Sequence, residues 1–433
     1  MFDRSRFRSV ILGSLAAVAV ILIFFGAQWA IIRWQDAHTP DQKPAAVSSA
    51  DQLIQNLSDR LMSHPDDIST AVALSGAYLQ KVRETADAAF YSNIDALMAH
   101  ADTVSPGNPE VLRTQALVAA GRHNFVRARE LINQAIHTTP HRPAYYGVLA
   151  DAEIELGHYP AAEEALQTMV DIRPDFNSYS RIALFRELHG DIAGAADALQ
   201  LAISAGGAFP ENIAWVYVEL GKLALRDELK KAQTYFEQAN AVLPNFPPAL
   251  EGLGRVALAR DDAASARDLF QRAFDQLPIA QYATDLGDTY TRLGDKAKAE
   301  QQYFLATLAY DTSAKSGVNT DLEVALFLAD HDLELPKALE KARAGYAVRG
   351  SIHGADVLAW ALYKNGDITN ATRYVNEALR LGEYDAVTLF HAGMIASARH
   401  DTKEAKRLLE KAVKLHTLPV LSLDVVKAKL QSL

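Results

Sequence analysis

Beyond Ala50 the apolar residues follow the three-and-four spacing of amphipathic helices, and this pattern is itself periodic. Pro106, Pro140 and Pro174 recur every 34 residues, as do Pro244 and Pro278. Five places before each stands a small or sulfur-bearing side chain: Ala101, Ala135, Met169, Ala239 and Ala273. Two helix-period segments per unit predict an all-α solenoid of stacked helical hairpins. Small residues let the two helices of a hairpin approach, and large ones fill the groove between hairpins. The proline stops the second helix because it lacks an N–H and disfavours helical backbone before it. One hairpin cannot bury its own apolar face, so neighbours must stack.

The pattern gives about ten hairpins over 51–433. The first runs from Pro65 to Pro106, with a lengthened second helix through ADAAFYSNIDALMAH; the others start near Asn108, Pro143, Phe176, Ala214, Pro247, Ala280, Asn319, Ile352 and Ala386. LSLDVVKAKLQSL is predicted to be a capping helix, since an end repeat must cover an apolar face. Two departures stand out. SAGGAFPEN, from Ser204 to Asn212, puts a Gly-rich joint in place of the closing proline, and the second helix before Asn319 runs on through AYDTSAKSGVN.

PPALEGLGRVALARDDAASARDLFQRAFDQLP and PAYYGVLADAEIELGHYPAAEEALQTMVDIRP resemble the tetratricopeptide repeat, through Leu250, Leu253, Gly254, Ala266, Phe270, Ala273 and Pro278 in the first and Tyr146, Leu149, Ala150, Ala162, Leu166 and Pro174 in the second. The resemblance implies a right-handed superhelix whose concave face is lined by the first helix of each hairpin, through its second, fifth, ninth and twelfth positions. In the last three hairpins those positions and their neighbours bring forward Glu323, Phe327, Asp330, His353, Asp356, Trp360, Tyr363, Phe390, His391 and Met394 as a partner-binding surface. Aromatics beside carboxylates in a groove anchor a peptide, or else pack between hairpins. GVNTDLEVALFLADH, SIHGADVLAWALY and FHAGMIA are also similar to the closing repeats of a group of bacterial tetratricopeptide proteins. In earlier hairpins the groove positions are plainer and mixed in charge: Asp151, Glu187, Lys222, Glu251, Arg255 and Asp288.

Ahead of the repeats, MFDRSRFRS precedes an uncharged run from Val10 to Ile32. About 20 apolar residues span a bilayer as a helix, so this run predicts an uncleaved membrane anchor behind a cytoplasmic tail of residues 1–9. Arg4, Arg6 and Arg8 favour a cytoplasmic N-terminus, which in a bacterium places the repeats beyond the inner membrane. Residues 33–50, rich in Pro, Ser and Ala, read as a flexible linker.

The net charge of −10 with no basic run argues against nucleic acid as a partner. The absence of cysteine removes disulfides, thiolate metal sites and a Cys nucleophile. No P-loop, GxSxG elbow or dinucleotide fingerprint is present, so the chain reads as a non-enzyme without a cofactor. The sequence therefore points to a membrane-anchored scaffold that holds a protein or peptide partner in its concave groove, in cell-envelope assembly or secretion. The alternative is an accessory protein that captures a metal ion or small solute for a neighbouring transporter. In that case Glu323, His331, His353, Asp356 and His391 would converge as ligands. An accessory role in glycan transfer rests on fold analogy alone.

Overall fold

The computed structural model describes residues 49–207, 210–382 and 385–433. The chain divides into two compact units, Met1–Gln52 and Leu53–Leu433. The predicted tail and anchor, and residues 33–48 of the predicted linker, lie outside the described residues. Ser49 and Ala50, assigned to that linker, instead open helix α1 (Ser49–Ser63). Among the described residues no helix is long and apolar enough to cross a membrane.

The second unit is entirely helical among its described residues, and after α1 it forms ten hairpins. They are α2–α3 (Ile68–Thr85, Phe90–Val104), α4–α5 (Pro109–Gly121, Phe125–Thr138), α6–α7 (Pro143–Glu155, Tyr159–Ile172), α8–α9 (Phe176–Leu188, Ile192–Ala205) and α10–α11 (Pro210–Leu225, Leu229–Val242). Then follow α12–α13 (Pro247–Ala259, Ala263–Gln276), α14–α15 (Ala280–Arg292, Lys296–Lys315), α16–α17 (Asp321–Asp330, Leu335–Val348), α18–α19 (Ile352–Lys364, Ile368–Ala378) and α20–α21 (Ala386–Ala398, Thr402–Lys414). A last helix, α22, spans Val420–Ser432.

The sequence rules act as expected at the helix ends. Each closing proline sits two residues past a second helix, as Pro140 follows Thr138 and Pro278 follows Gln276. Ala135, Ala239 and Ala273 are fully buried and Met169 nearly so, at the helix–helix approach. Inside six of the hairpins the turn repeats one device: a residue with positive φ, then an Asp or Asn whose side chain caps the second helix. Gly190, Gly294 and Gly366 precede Asp191, Asp295 and Asp367. His123, Asp261 and His400 take the same left-handed conformation before Asn124, Asp262 and Asp401. Gly252 and Gly221 pack where the Phe236 ring leaves no room for a Cβ.

Three details differ from the sequence expectation. In the first hairpin the first helix, α2, is the longer one; it stops at Ala86 in left-handed conformation, and ADAA is a turn rather than the start of α3. The fifth hairpin begins at Pro210, not Ala214, because proline suits the first helical turn. The run-on of the seventh hairpin is as read: α15 continues to Lys315.

What periodicity did not foretell is a clasp between hairpins distant in sequence. The Arg349 guanidinium, buried at the end of α17, pairs with Glu323 of its own hairpin at 2.7 Å and with Glu155 of α6 at 3.2 Å. It also stacks over the Phe125 ring. Backbone joins backbone where the Asn319 N–H donates to the Arg122 carbonyl at 3.0 Å. The Ile352 N–H donates to the Tyr159 hydroxyl at 2.9 Å, and Arg380 donates to the Gly157 carbonyl at 3.0 Å. Ile154, Tyr159, Ala162 and Ile352 form a shared apolar cluster there. Burial alone would raise Glu323, but the charge and hydrogen bond of Arg349 outweigh it and hold the carboxyl below its usual range.

Candidate functional site

The groove-lining helices carry two different surfaces. In the middle hairpins charged positions form a ladder, with three arginines each paired to a neighbouring hairpin. Arg181 of α8 meets Asp151 of α6 with both Nε and Nη2 at 2.9 Å. Arg226 of α10 reaches Glu187 of α8 at 2.6 Å. Arg255 of α12 bonds Glu251 on its own helix and Asp285 of α14. Burial pushes the Asp285 carboxyl up, against the opposing pull of Arg255. These mixed charges therefore fix the stacking of the hairpins.

Beside the ladder lies an open cleft of about 440 Å³, lined by Phe176, Arg181, Leu184, Glu211 and Trp215 among others. Trp215 is 38 % exposed and Leu184 45 % exposed, unlike the apolar positions between hairpins. Gln80 of α2 donates to Glu211 of α10 at 2.6 Å, which brings the first hairpin to the rim. Trp215 was not among the residues singled out from sequence. The available signal was a lone tryptophan in a helix whose neighbours carry charges at the lining positions.

The C-terminal cluster is assembled, but mostly as interior. Trp360 is 3 % exposed and lies stacked between His391 at 4.2 Å and Tyr363 at 5.0 Å, with Phe390 tilted at 5.1 Å. Its indole N–H donates to Asp330 at 2.8 Å. Asp356 and His391, both buried, pair at 3.0 Å through Nδ1. The His391 Nε2 has no hydrogen-bond partner and faces Asp330 at 4.0 Å. Phe327 packs on Tyr303 and His331. The expected exposed stripe thus resolves into packing between hairpins for Phe327, Asp356, Trp360, Phe390 and His391. The cause is that first helices of successive hairpins meet along this same face, so a residue spaced for the groove is also spaced for the seam. Asp330, Tyr363 and Met394 stay half-buried and line a cleft of about 400 Å³ whose other wall is Pro419, Leu421, Ser422 and Val425.

Two expected members stand apart. Glu323 belongs to the Arg349 clasp, and the His353 side chain is exposed in the first turn of α18, beyond that packing. The supposed ligand set of Glu323, His331, His353, Asp356 and His391 does not converge, and among the described residues no three such groups are placed to hold a metal ion.

His331 shows what the cluster does chemically. Its Nδ1 donates to the Phe327 carbonyl at 2.7 Å and its Nε2 faces Asp288 at 2.9 Å, while the Tyr303 hydroxyl donates to the same carboxylate at 3.0 Å. Both ring nitrogens face acceptors, which favours the imidazolium. Burial opposes that charge, yet Asp288 outweighs it and the His331 pKa rises. His391 behaves alike: burial opposes its charge and Asp356 overrides it. Burial pushes Asp330 up, with His391 and His331 pulling the other way. Each histidine thus has a carboxylate partner that favours its charged form.

Models of the tetratricopeptide repeat match residues 117–184 and 251–315. No curated protein matches the chain. Among solved structures, PilW, described as a widely conserved type IV pilus biogenesis factor, is 18% identical over 45% of this chain and 90% of its own, with a TM-score of 0.39. Pseudomonas aeruginosa PilF is 17% identical over 45% of this chain and 88% of its own, at TM-score 0.38. The human IFIT1 dimer with PPP-AAAA is 15% identical over 87% and 96%, at TM-score 0.44. The second to fourth hairpins and the sixth and seventh thus contain the matched stretches, and the described residues form an all-α solenoid that carries tetratricopeptide repeats.

Proposed function

We propose that this protein is a scaffold held at a membrane by Val10–Ile32, with the repeats outside the cytoplasm, and that it binds a segment of a partner protein in its open groove. The carrying observation is the cleft beside Trp215. An exposed tryptophan and leucine sit there beside the Arg181–Asp151 and Arg226–Glu187 pairs, which hold the frame preformed. An apolar centre with a polar rim is the anatomy of a protein-binding hot spot. The partner that fits is an extended or helical segment presenting one large apolar side chain, flanked by polar groups for Arg83 and Glu219. The reading contains no catalytic step and no cofactor. Assembly or secretion of envelope components is the setting in which such a tethered scaffold acts.

The test is retention of partner from native membranes by the full chain against a Trp215→Ala variant. A hot-spot tryptophan costs at least about 2 kcal/mol, or roughly thirtyfold in retention. Unchanged retention would remove the cleft from the proposal. Protease accessibility of the repeats in intact and permeabilised cells tests the orientation; digestion only after the inner membrane is breached would contradict it.

A further inference from the structure

The last helix does more than cap hairpin ten. α22 packs on α21 and also reaches back to α14, three hairpins earlier, and faces side chains of α16, α18 and α20 across a cleft. Its Asp424 lies 3.6 Å from Arg292 of α14, whose Nη1 is buried and lacks a hydrogen-bond partner. Leu418 and Val426 enter the core cluster that holds Trp360 and Phe390, with Leu423, Leu430 and Leu433 packed at its edge.

Yet the fit is loose. Among the described side chains of α22 only Val426 is fully buried, whereas α18 buries ten residues. Its N-terminus has no side-chain cap. Clefts lie on both of its flanks. One is the cleft of about 400 Å³ between Ser422 and the Trp360, Phe390 and Met394 side chains; the other, of about 190 Å³, lies among Arg255, Arg292, His416 and Lys427. A helix with one fully buried side chain and an open cleft on each flank is held by few apolar contacts, as segments that open at low free energy are.

We propose that the face formed by α14, α16, α18 and α20 is a helix-binding site, and that α22 is its resident, exchangeable occupant. The occupant supplied by a partner is an amphipathic helix with leucines spaced as Leu423, Val426 and Leu430. It carries a carboxylate where Asp424 meets Arg292 and a side chain larger than Ser422 to fill the wider cleft. The Trp215 cleft lies in earlier hairpins, so this site and that one succeed or fail separately.

The experiment titrates a labelled peptide of residues 415–433 against the full chain in detergent micelles, followed by fluorescence anisotropy. A Val426→Asp chain, with its own helix released, binds the peptide at least tenfold more tightly than the wild type, where α22 competes in cis. A Ser422→Leu peptide binds more tightly still. An Asp424→Arg peptide loses about tenfold and regains it against a chain that also carries Arg292→Glu. Equal binding by the Val426→Asp and wild-type chains, or indifference to the charge exchange, would overturn the site. Hydrogen exchange on the unmodified chain gives a second measure that needs no variant to fold. The amides of α22 exchange well ahead of those of α14 and α20, and equal protection would show that α22 is a fixed cap.

Discussion

Trp215 and Trp360 stand on the first helices of two hairpins and have opposite surroundings. Trp215 looks into an open cleft with a ladder of satisfied ion pairs around it; Trp360 is enclosed by His391, Tyr363 and Phe390 and bonded to Asp330. One is a surface that can anchor a partner and the other a seam that holds hairpins together. A lining position is therefore not a fixed environment in this solenoid. Its exposure depends on which other segment crosses it.

The largest break in that comparison is Trp360→Ala. It removes a buried aromatic and leaves Asp330 without its donor, so a loss of about 3–5 kcal/mol is expected in urea unfolding. Trp215→Ala changes stability by under about 1 kcal/mol in the same assay, because an exposed side chain leaves little cavity. Near-equal losses would erase the distinction.

Arg349→Ala comes next, since it strands Glu155 and Glu323 at the join of early and late hairpins. Breaking a buried pair costs about 3–5 kcal/mol, but both carboxylates are about one-third exposed and water relieves part of that. About 2 kcal/mol is expected, read as a lower urea midpoint. A midpoint unchanged from wild type would reduce the clasp to a passive contact.

A pH titration of stability sharpens the contrast more gently. The pKa values of His331 and His391 are raised in the folded state by Asp288 and Asp356 against the effect of burial. Their contribution is thus complete below the unfolded histidine value of about 6.5 and is lost as pH rises through the folded values. Each histidine contributes a slope of at most about 1.4 kcal/mol per pH unit. His391→Leu flattens the slope by its share, and a slope unchanged in that variant would mean His391 is neutral throughout. Smallest of all is Asp424→Ala. One ion pair at a half-exposed site is worth about 0–1 kcal/mol, so only the protection of α22 against hydrogen exchange should respond.

The hairpins were legible because their marks are local: a proline two residues past five of the second helices, and a small or sulfur-bearing residue at the close approach. The face of each first helix was legible for the same reason, as a matter of period. Whether that face was open was not. His353 and Asp356 sit three apart on one helix and share the stripe, yet one is exposed and the other buried, because α20 packs over only one of them. The clasp and the path of α22 carry no periodic signal, since they join repeats at separations the repeat does not encode. Trp215 was missed, although a lone tryptophan among charged neighbours was there to be read.

The clasp also bears on how the chain folds. A solenoid held only by nearest neighbours can nucleate anywhere and fray from either end. Here the His123 ring reaches the Asn319 carbonyl across 196 residues and Arg349 reaches Glu155 across 194. Each such closure carries a loop-entropy cost that local hairpins avoid, and it raises the mean sequence separation of contacts. The segments of hairpins two to four are complete early in synthesis, but the late hairpins that complete their surface emerge long afterwards. Until then the edge around Tyr159 and Ile154 stays bare, and the stretch of chain still being made is what protects it.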